Sequence, residues 1–379
     1  MKRITKILLT VIVTSLSALG LMAQNPTNNT FGKGIKVFAK DTSFSMKFST
    51  RIQNQYEGTY TDSDAPSYSE KFYLRRARLK FDGNVFCKDL IYKIELDVVN
   101  AEVLDAVLKW RFYKNFSIWF GQTKLPGNRE RVISSQKLQF VDRSLVNAKY
   151  NLDRDKGIQI RHHVNLGDIT IREMVSVSIG EGKNYGLSSQ GNDYTGRVEV
   201  LPLGDFTKKG DYFEGDLFRE SKPKLALGFT YGFNDNAIKS NGQKGDIMTE
   251  SRDINSLFGD LMFKYNGFSV LGEYANKTTT DGSAAIIDTS GALLESFYTG
   301  TGMNFQMGYL LKNNWEFAVR YTSIVPETVT QNSELTQYTL CISKYVVGHS
   351  LKVQSDFTLS QQEGSDEQFI FRLQVEMAF

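Results

Sequence analysis

Apolar and polar residues alternate with a period of two along most of this chain, which is typical of β-strands whose two faces meet different surroundings. Between Phe44 and Tyr60, one set of alternate positions is mainly apolar or aromatic, and the other set is polar or charged. The alternation continues to the end of the chain, from Phe369 to Phe379. One face of these strands therefore suits lipid, and the opposite face suits water.

The alternating runs predict an all-β, transmembrane antiparallel β-barrel of about sixteen strands over residues 41–379, an even number as in single-chain bacterial barrels. The predicted strands are 44–60, 72–81, 89–99, 103–113, 116–124, 155–165, 169–180, 193–202, 223–233, 255–265, 268–277, 297–310, 315–324, 334–344, 350–360 and 367–379.

The connections between these runs alternate in length, as do the short periplasmic turns and long external loops of outer-membrane barrels. Short turns are predicted near 113–115, 165–168, 266–267, 312–314 and 347–350, and longer polar loops at 58–70, 125–154, 181–192, 234–254, 278–296, 325–333 and 361–366. With the N-terminus in the periplasm, 125–154 is the third external loop. The 203–222 segment breaks the rule, because it is long but falls on the periplasmic side.

The N-terminus resembles a secretory signal, predicted over residues 1–23 and followed by a periplasmic segment, 24–40. A basic start precedes an apolar run from Ile7 to Leu21, and Ala23 closes a plausible cleavage site. A retained membrane anchor is the alternative. Beyond this point no apolar run reaches about eighteen residues, so no transmembrane helix is expected. A closed barrel is then the remaining structure able to span a membrane, here the bacterial outer membrane.

The overall charge supplies no anion preference. The chain has 45 Lys and Arg against 42 Asp and Glu, and three of the basic residues lie in the predicted signal, so the mature balance is even. Any preference must come from where the charges lie. Cys87 and Cys341 fall far apart in the predicted strand order, so no disulfide is expected.

The polar phase of the strands directs basic side chains into the lumen. Rings of Arg and Lys are the expected lining of anion and phosphate pores, and the Arg fork matches phosphate oxygens. Neighbouring like charges destabilise a sheet unless acids, water or a passing anion offset them, so a purely structural basic wall is the alternative. The predicted lumen-wall residues are Lys47, Arg51, Arg76, Arg78, Lys80, Arg161 and Arg197.

One Arg falls in the opposite phase. Arg75 shares the lipid side of the second strand with Tyr73, Ala77, Leu79 and Phe81. An outward Arg costs roughly 2–4 kcal/mol at the bilayer midplane and about 0–1 near an interface. We therefore expect Arg75 at the outer end of its strand.

The 125–154 loop is too long for a turn, and such loops in a compact fold are usually functional or disordered. We predict that it folds inward and narrows the pore with basic side chains. The predicted constriction residues are Lys124, Arg129, Arg131, Arg143 and Arg154, with Lys137 and Lys156 nearby and with Glu130, Asp142, Asp153 and Asp155 among them. Some of these bases will pair locally with the acids.

Several motifs resemble the phosphate-selective porin O and P family. They are Leu74-Arg75-Arg76-Ala77-Arg78-Leu79, Gly121-Gln122-Thr123-Lys124-Leu125-Pro126, Leu138 to Leu145, Arg154 to Ile158, and, as in Bacteroidetes-type members, Lys209 to Leu217. The resemblance implies a trimeric sixteen-stranded barrel whose third loop folds inward. It makes Arg76 and Arg78 wall residues, and Lys124 and Arg143 loop residues near the constriction. The terminal Phe379 resembles the signal read by the barrel-assembly machinery.

The leading hypothesis is a porin for passive diffusion of small inorganic anions, plausibly phosphate or polyphosphate, acting as a homotrimer in the lipid bilayer. A porin for general or other solutes and a non-conducting structural or adhesive barrel stay open. An enzyme is disfavoured, because no serine has a recognisable His/Asp arrangement beside it; His163 is predicted to face the lumen and His162 the lipid. No cofactor, metal site or nucleic-acid partner is predicted, since the loop acids lack the spacing of a calcium loop and no basic helix is expected.

Overall fold

A computed structural model describes residues 30–186 and 191–379, so the predicted signal peptide lies outside the described residues. The strands are β1 (Ile35–Phe38), β2 (Ser45–Asp62), β3 (Ser67–Asn84), β4 (Leu90–Asp97), β5 (Glu102–Tyr113), β6 (Phe116–Lys124), β7 (Arg154–Leu166), β8 (Ile169–Ser178), β9 (Asp193–Leu201), β10 (Lys224–Lys239), β11 (Ile247–Tyr265), β12 (Phe268–Thr279), β13 (Ala285–Ile287), β14 (Leu293–Ser296), β15 (Gly300–Leu310), β16 (Trp315–Pro326), β17 (Leu335–Val347), β18 (Leu351–Gln362) and β19 (Glu367–Ala378).

The remaining elements are short. They are the helices α1 (Arg129–Val132) and α2 (Leu145–Tyr150) and the 3-10 turns Ser135–Lys137, Thr207–Tyr212 and Thr328–Thr330. None of the helices in the described ranges has the length and apolar character needed to span a bilayer. Cys87 and Cys341 are free thiols.

The strands close into a barrel through the pairing of the last strand with β2. Neighbouring strands run antiparallel throughout, and β19 pairs with β2 from Glu367 beside Asp62 to Ala378 beside Arg51. At the seam, Thr50 and Phe379 exchange both backbone hydrogen bonds, at 2.8 and 3.0 Å. The predicted all-β barrel of sixteen antiparallel strands is confirmed, with β2–β12 and β15–β19 in the ring.

Two short pieces lie outside the ring. Strand β1 pairs with the part of β2 that β19 leaves free, placing Ile35 opposite Phe48. Strands β13 and β14 form a separate hairpin within a long loop. β1 thus extends the closing edge beyond the C-terminus and leaves less of β2 unpaired.

The two faces of each strand differ as the period-two pattern indicates. On β19, Phe371, Leu373 and Val375 are exposed on the outside, whereas Gln374 and Glu376 are buried on the inside. The same outward apolar and inward polar arrangement is typical of strands that cross a bilayer around a polar interior.

A β-bulge on β3 changes the phase of this pattern. Gln53 pairs with Arg76 and Asn54 with Leu74, so Arg75 is an extra residue on its strand. An extra residue moves the following side chains to the other face. Arg75 accordingly turns inward and contacts Asp142, and Tyr73 lies opposite the inward-facing Gln55. The expectation that Arg75 and Tyr73 face lipid was therefore wrong.

The short connections gather at one end of the barrel, the short-turn end. They include residues 114–115, 167–168, 266–267 and 348–350, whereas the opposite, long-loop end carries loop 3 (residues 125–153) and 280–299. The connection after β9 is the exception at the short-turn end, because its residues 203–222 form a long folded segment rather than a tight turn.

Loop 3 packs its apolar side chains against the inner face of the barrel wall. Leu125, Val146, Tyr150 and Leu152 form one cluster with Phe258, Ala275 and Ile324 of β11, β12 and β16. Two further contacts join Ile133 and Leu138 to Met262 and Leu271, and Phe140 to Ala318 and Cys341. Burying each large apolar side chain stabilises by about 1.5–3 kcal/mol. These strands therefore carry apolar residues on the inside because loop 3 covers them.

Glycine makes room for this packing at one position. A Cβ at Gly302 of β15 would lie 2.9 Å from the ring of Tyr150. Any larger residue there would displace the aromatic ring that anchors α2 to the wall.

Candidate functional site

Polar contacts join loop 3 to strands on the far side of the barrel interior. Arg129 Nε lies 2.5 Å from Asp260 Oδ1 of β11, and Gln139 Nε2 donates to Glu316 of β16 at 2.8 Å. Farther round the ring, the backbone N–H of Val141 donates to Asp356 of β18 at 3.3 Å. Because loop 3 starts from β6 and ends at β7, these contacts place it inside the ring of strands.

The 203–222 segment enters the interior from the short-turn end and meets loop 3. The buried Lys264 Nζ of β11 donates to the carbonyl oxygens of Gly210, Phe213 and Gly215 at 2.7, 2.8 and 2.8 Å. The N–H of Glu214 donates to Lys137 of loop 3 at 3.0 Å. The segment is long because it fills space inside the barrel, which the strand pattern did not reveal.

Loop 3 and the 203–222 segment leave one side of the interior open. A cavity of about 1090 Å³ runs beside β3–β8, with loop 3 as its opposite wall. Sixteen Lys and Arg residues line it against six Asp and Glu residues, a formal excess of ten basic groups. The basic residues are Arg75, Arg76, Arg78, Lys93, Lys109, Lys124, Arg131, Lys137, Arg143, Arg154, Arg161, Arg172, Lys183, Lys208, Lys209 and Lys244.

Seven of the predicted site residues line this cavity. They are Arg76, Arg78 and Arg161 on the wall and Lys124, Arg131, Arg143 and Arg154 in or beside loop 3. Several cavity cations were not singled out from the sequence. Lys93 and Lys109 are two of them, and both lie on the polar phase of their strands, β4 and β5, so the same alternation could have identified them.

The structure places the other predicted residues away from the cavity. Arg129 and Arg197 are buried on the far side of loop 3, where both form ion pairs with Asp260 and Glu199. Arg51 is buried against Ser135 of loop 3. Lys47 pairs in register with Asp82, and Lys80 forms an ion pair with the same acid at 2.9 Å. Neighbouring acids pair with Lys80, Arg129 and Arg197, and loop 3 covers Arg51.

Carboxylates hold the basic groups in the long-loop half of the cavity. Arg78 contacts Glu95 at 3.0 Å, and Asp105 contacts Lys93 at 2.6 Å and Arg154 at 3.2 Å. Arg131 and Asp153 form a further pair. The three acids shared among these bases reduce their mutual repulsion, and the cavity as a whole keeps its positive excess.

Asp142 of loop 3 joins three Arg residues from the wall. It lies 3.2 Å from both Arg75 and Arg76, and 4.0 Å from Arg372. Burial alone would raise its pKa, but Arg76, Arg75 and Arg372 hold the pKa of this carboxyl far below its usual range. Asp142 therefore stays ionised and fixes loop 3 to the arginine-rich side of the wall.

Lys124, at the end of β6, and Arg143 of loop 3 donate to backbone carbonyls instead. Lys124 Nζ donates to the carbonyls of Arg131, Val132 and Ile133 at 2.6, 3.1 and 3.0 Å. Arg143 donates to the carbonyls of Glu130 and Ile133 at 3.0 and 2.7 Å. Carbonyl oxygens orient these side chains but, unlike carboxylates, carry no formal charge.

Comparisons with known proteins agree with this geometry. The model of the family described as phosphate-selective porin O and P matches residues 46–367. A search of curated proteins gives no match. Solved structures share the fold at low identity. A loop L8 deletion mutant of OmpT, an outer membrane protein of Vibrio cholerae, has a TM-score of 0.56 and 12% identity, and the match covers 89% of this chain and 100% of that one.

Two other porin structures are similar. For the trimer form of OmpT from Vibrio cholerae, the TM-score is 0.53 at 13% identity, covering 88% of this chain and 99% of that chain. For an anion-selective porin from Comamonas acidovorans, the values are 0.52 and 10%, covering 88% and 100%. At such identity these likenesses show the fold alone.

Proposed function

The chain belongs to the phosphate-selective porin O and P family, as an outer-membrane porin, and from that premise we propose that it conducts small anions by passive diffusion, with phosphate or polyphosphate among them. The long-loop end would face the outside and the short-turn end the periplasm, as in other outer-membrane barrels. The family and the fold indicate a channel rather than an enzyme.

The charge excess of the cavity carries this proposal. Sixteen basic against six acidic residues line the open space, although the whole chain has a net charge of only +3. Two unit charges 4 Å apart interact with about 4 kcal/mol at an effective dielectric constant of 20. A small anion is therefore attracted along the cavity, and a small cation is repelled.

Many weak sites suit conduction better than one strong site. The bases of the long-loop half are partly paired with acids, so an incoming anion competes with carboxylates for each of them. Conduction requires sites that attract an ion and also release it. The mixed lining favours passage over trapping.

Reversal potentials in a planar bilayer test the proposal. With a KCl gradient across a bilayer that holds the purified porin, we expect the reversal potential to lie nearer the equilibrium potential of chloride than that of potassium. Added phosphate should compete with chloride and reduce the chloride current. Equal permeability to potassium and chloride would instead favour a general porin. A barrel that carries no current at all would favour the structural or adhesive alternative.

The assembly state and biogenesis are also proposals. The similarity to OmpT in its trimer form supports a homotrimer. The aromatic residue Phe379 directly follows the last strand and lies at the closing seam. We propose that the barrel-assembly machinery reads this end of the chain.

A further inference from the structure

In the short-turn half of the cavity, three basic side chains lie on aromatic rings. Lys109 Nζ is 3.6 Å from the ring centre of Trp119, and Arg161 Cζ is 3.9 Å from the same ring. Lys137 Nζ of loop 3 is 3.6 Å from the ring centre of Phe213. Among the residues that the structure describes, none of these three cations forms an ion pair, so they differ from Arg78, Lys93 and Arg154 in the other half.

Aromatic side chains stabilise cations without neutralising their charge. The face of an aromatic ring attracts a cation through its quadrupole, but it carries no formal charge. Trp119 comes from β6, between the strands that supply Lys109 and Arg161, so one ring orients two like charges. The three cations therefore remain available to an anion that enters this half.

The same half of the cavity also exposes aromatic surface. Trp119, Tyr212 and Phe213 are half-buried and line the cavity with these cations. Tyr212 and Phe213 come from the 203–222 segment, which Lys264 anchors to the wall. A bare inorganic ion makes no use of such a surface. An organic anion with a planar apolar body does, because it loses water from its ring on contact.

We propose that Lys109, Arg161 and Lys137, with the rings of Tyr212 and Phe213, form a binding site for small aromatic anions, of which aromatic monocarboxylates are the simplest class. The carboxylate would lie among the three cations, and the ring would contact the aromatic side chains of the 203–222 segment. The inference rests on the proposed anion channel, and it adds a preference for organic anions in the short-turn half of the cavity.

Benzoate, acetate and benzamide are the probes that test this site, since acetate has the charge alone and benzamide the ring alone. Binding to the detergent-solubilised porin is measured by Trp fluorescence and calorimetry, and block of the chloride current is measured in a bilayer. We expect benzoate to bind and to block the chloride current at a concentration about tenfold lower than acetate. Benzamide should neither bind nor block at that concentration. Equal concentrations for benzoate and acetate would overturn the inference.

Two variants separate the charge from the ring. Phe213→Leu should reduce the preference for benzoate over acetate about threefold or more, while Phe357→Leu, on the outer face of β18, should leave it unchanged. Lys109→Gln should weaken both anions together, with Lys312→Gln in an exposed turn as its control. An unchanged preference in Phe213→Leu contradicts the ring contact. If Phe213→Leu does not fold, the comparison of benzoate with acetate on the native porin decides.

The two proposals fail in different ways. A channel with no anion preference in the KCl gradient removes the proposed function. A channel that prefers anions but treats benzoate as it treats acetate keeps the proposed function and removes the aromatic-anion site.

Discussion

Asp142 accepts a hydrogen bond from Arg76 at 3.2 Å, and this contact joins loop 3 to the arginine-rich strand β3. Arg75 reaches the same carboxylate only because the bulge on β3 turns it inward. The pair thus links a local irregularity of one strand to the position of loop 3.

Removing two wall charges together should weaken anion selectivity. Arg76→Ala with Arg78→Ala deletes two of the cations that line the cavity beside loop 3. We expect the chloride-to-potassium permeability ratio to fall about twofold or more, because fewer fixed charges attract the anion. Reversal potentials measure the change, and Arg111→Ala, exposed beside Asp89, is the control. An unchanged ratio would show that neither side chain acts on the ion path.

Removing the acid at the centre of the arginine group should have the opposite effect. Asp142→Asn keeps the size of the side chain and deletes one negative charge near Arg75, Arg76 and Arg372. The permeability ratio should rise about twofold, while the lost ion pairs lower the thermal stability of the barrel. A reduced ratio would show that Asp142 acts mainly by holding loop 3 in place.

Glu214 predicts a pH dependence of stability. Burial and the nearby Glu130 raise the pKa of Glu214 to about 7. A carboxyl whose pKa is higher in the folded than in the unfolded protein favours folding while it is protonated. Its contribution is present at low pH and decreases as the pH rises from about 4.5 to 7. Glu214→Gln should therefore raise the unfolding temperature at pH 8 relative to the native porin, with a smaller difference at pH 5.

Thermal unfolding in detergent at both pH values checks this expectation. Glu363→Gln, in a turn at the long-loop end, is the control, because Glu363 lies outside the contact between loop 3 and the 203–222 segment. A shift of equal size at pH 5 and pH 8 would mean that Glu214 acts through packing and hydrogen bonds alone.

Lys264 should determine how far the 203–222 segment narrows the lumen. Lys264→Met removes three hydrogen bonds to carbonyls of that segment, and each buried carbonyl left unpaired costs about 1–3 kcal/mol. We expect the segment to loosen and the single-channel conductance to rise or become noisier. Lys224→Met is the matched control, because its Nζ bonds Leu203 at the exposed edge of the same segment. An unchanged, quiet conductance would show that other contacts hold the segment.

The strands were predictable because each one separates lipid from a polar interior, so local alternation carries enough information. The bulge at Arg75 was not predictable, because one extra residue shifts the alternation of inward and outward side chains without changing the composition of the strand. Arg129 and Arg197 could not be distinguished from cavity residues, since Asp260, which pairs with both, lies on a strand distant in sequence.

The interior was harder to predict than the wall. The apolar residues that face inward on β11 and β12 are explained by their packing against loop 3. The period-two pattern predicts the strands, but it does not predict which segment covers them. The length of the 203–222 segment was visible in the sequence, but its path depends on Lys264 and Gln139, which lie far from it along the chain.

The pairing of β19 with β2 sets an order on the closure of the barrel. The two strands that complete the ring are the first and the last of its sixteen, so a chain that stops before β19 cannot form a closed cylinder. Such a shortened chain would display two unpaired strand edges, and open edges invite association with other chains. These open edges would distinguish an unfinished barrel from a closed one.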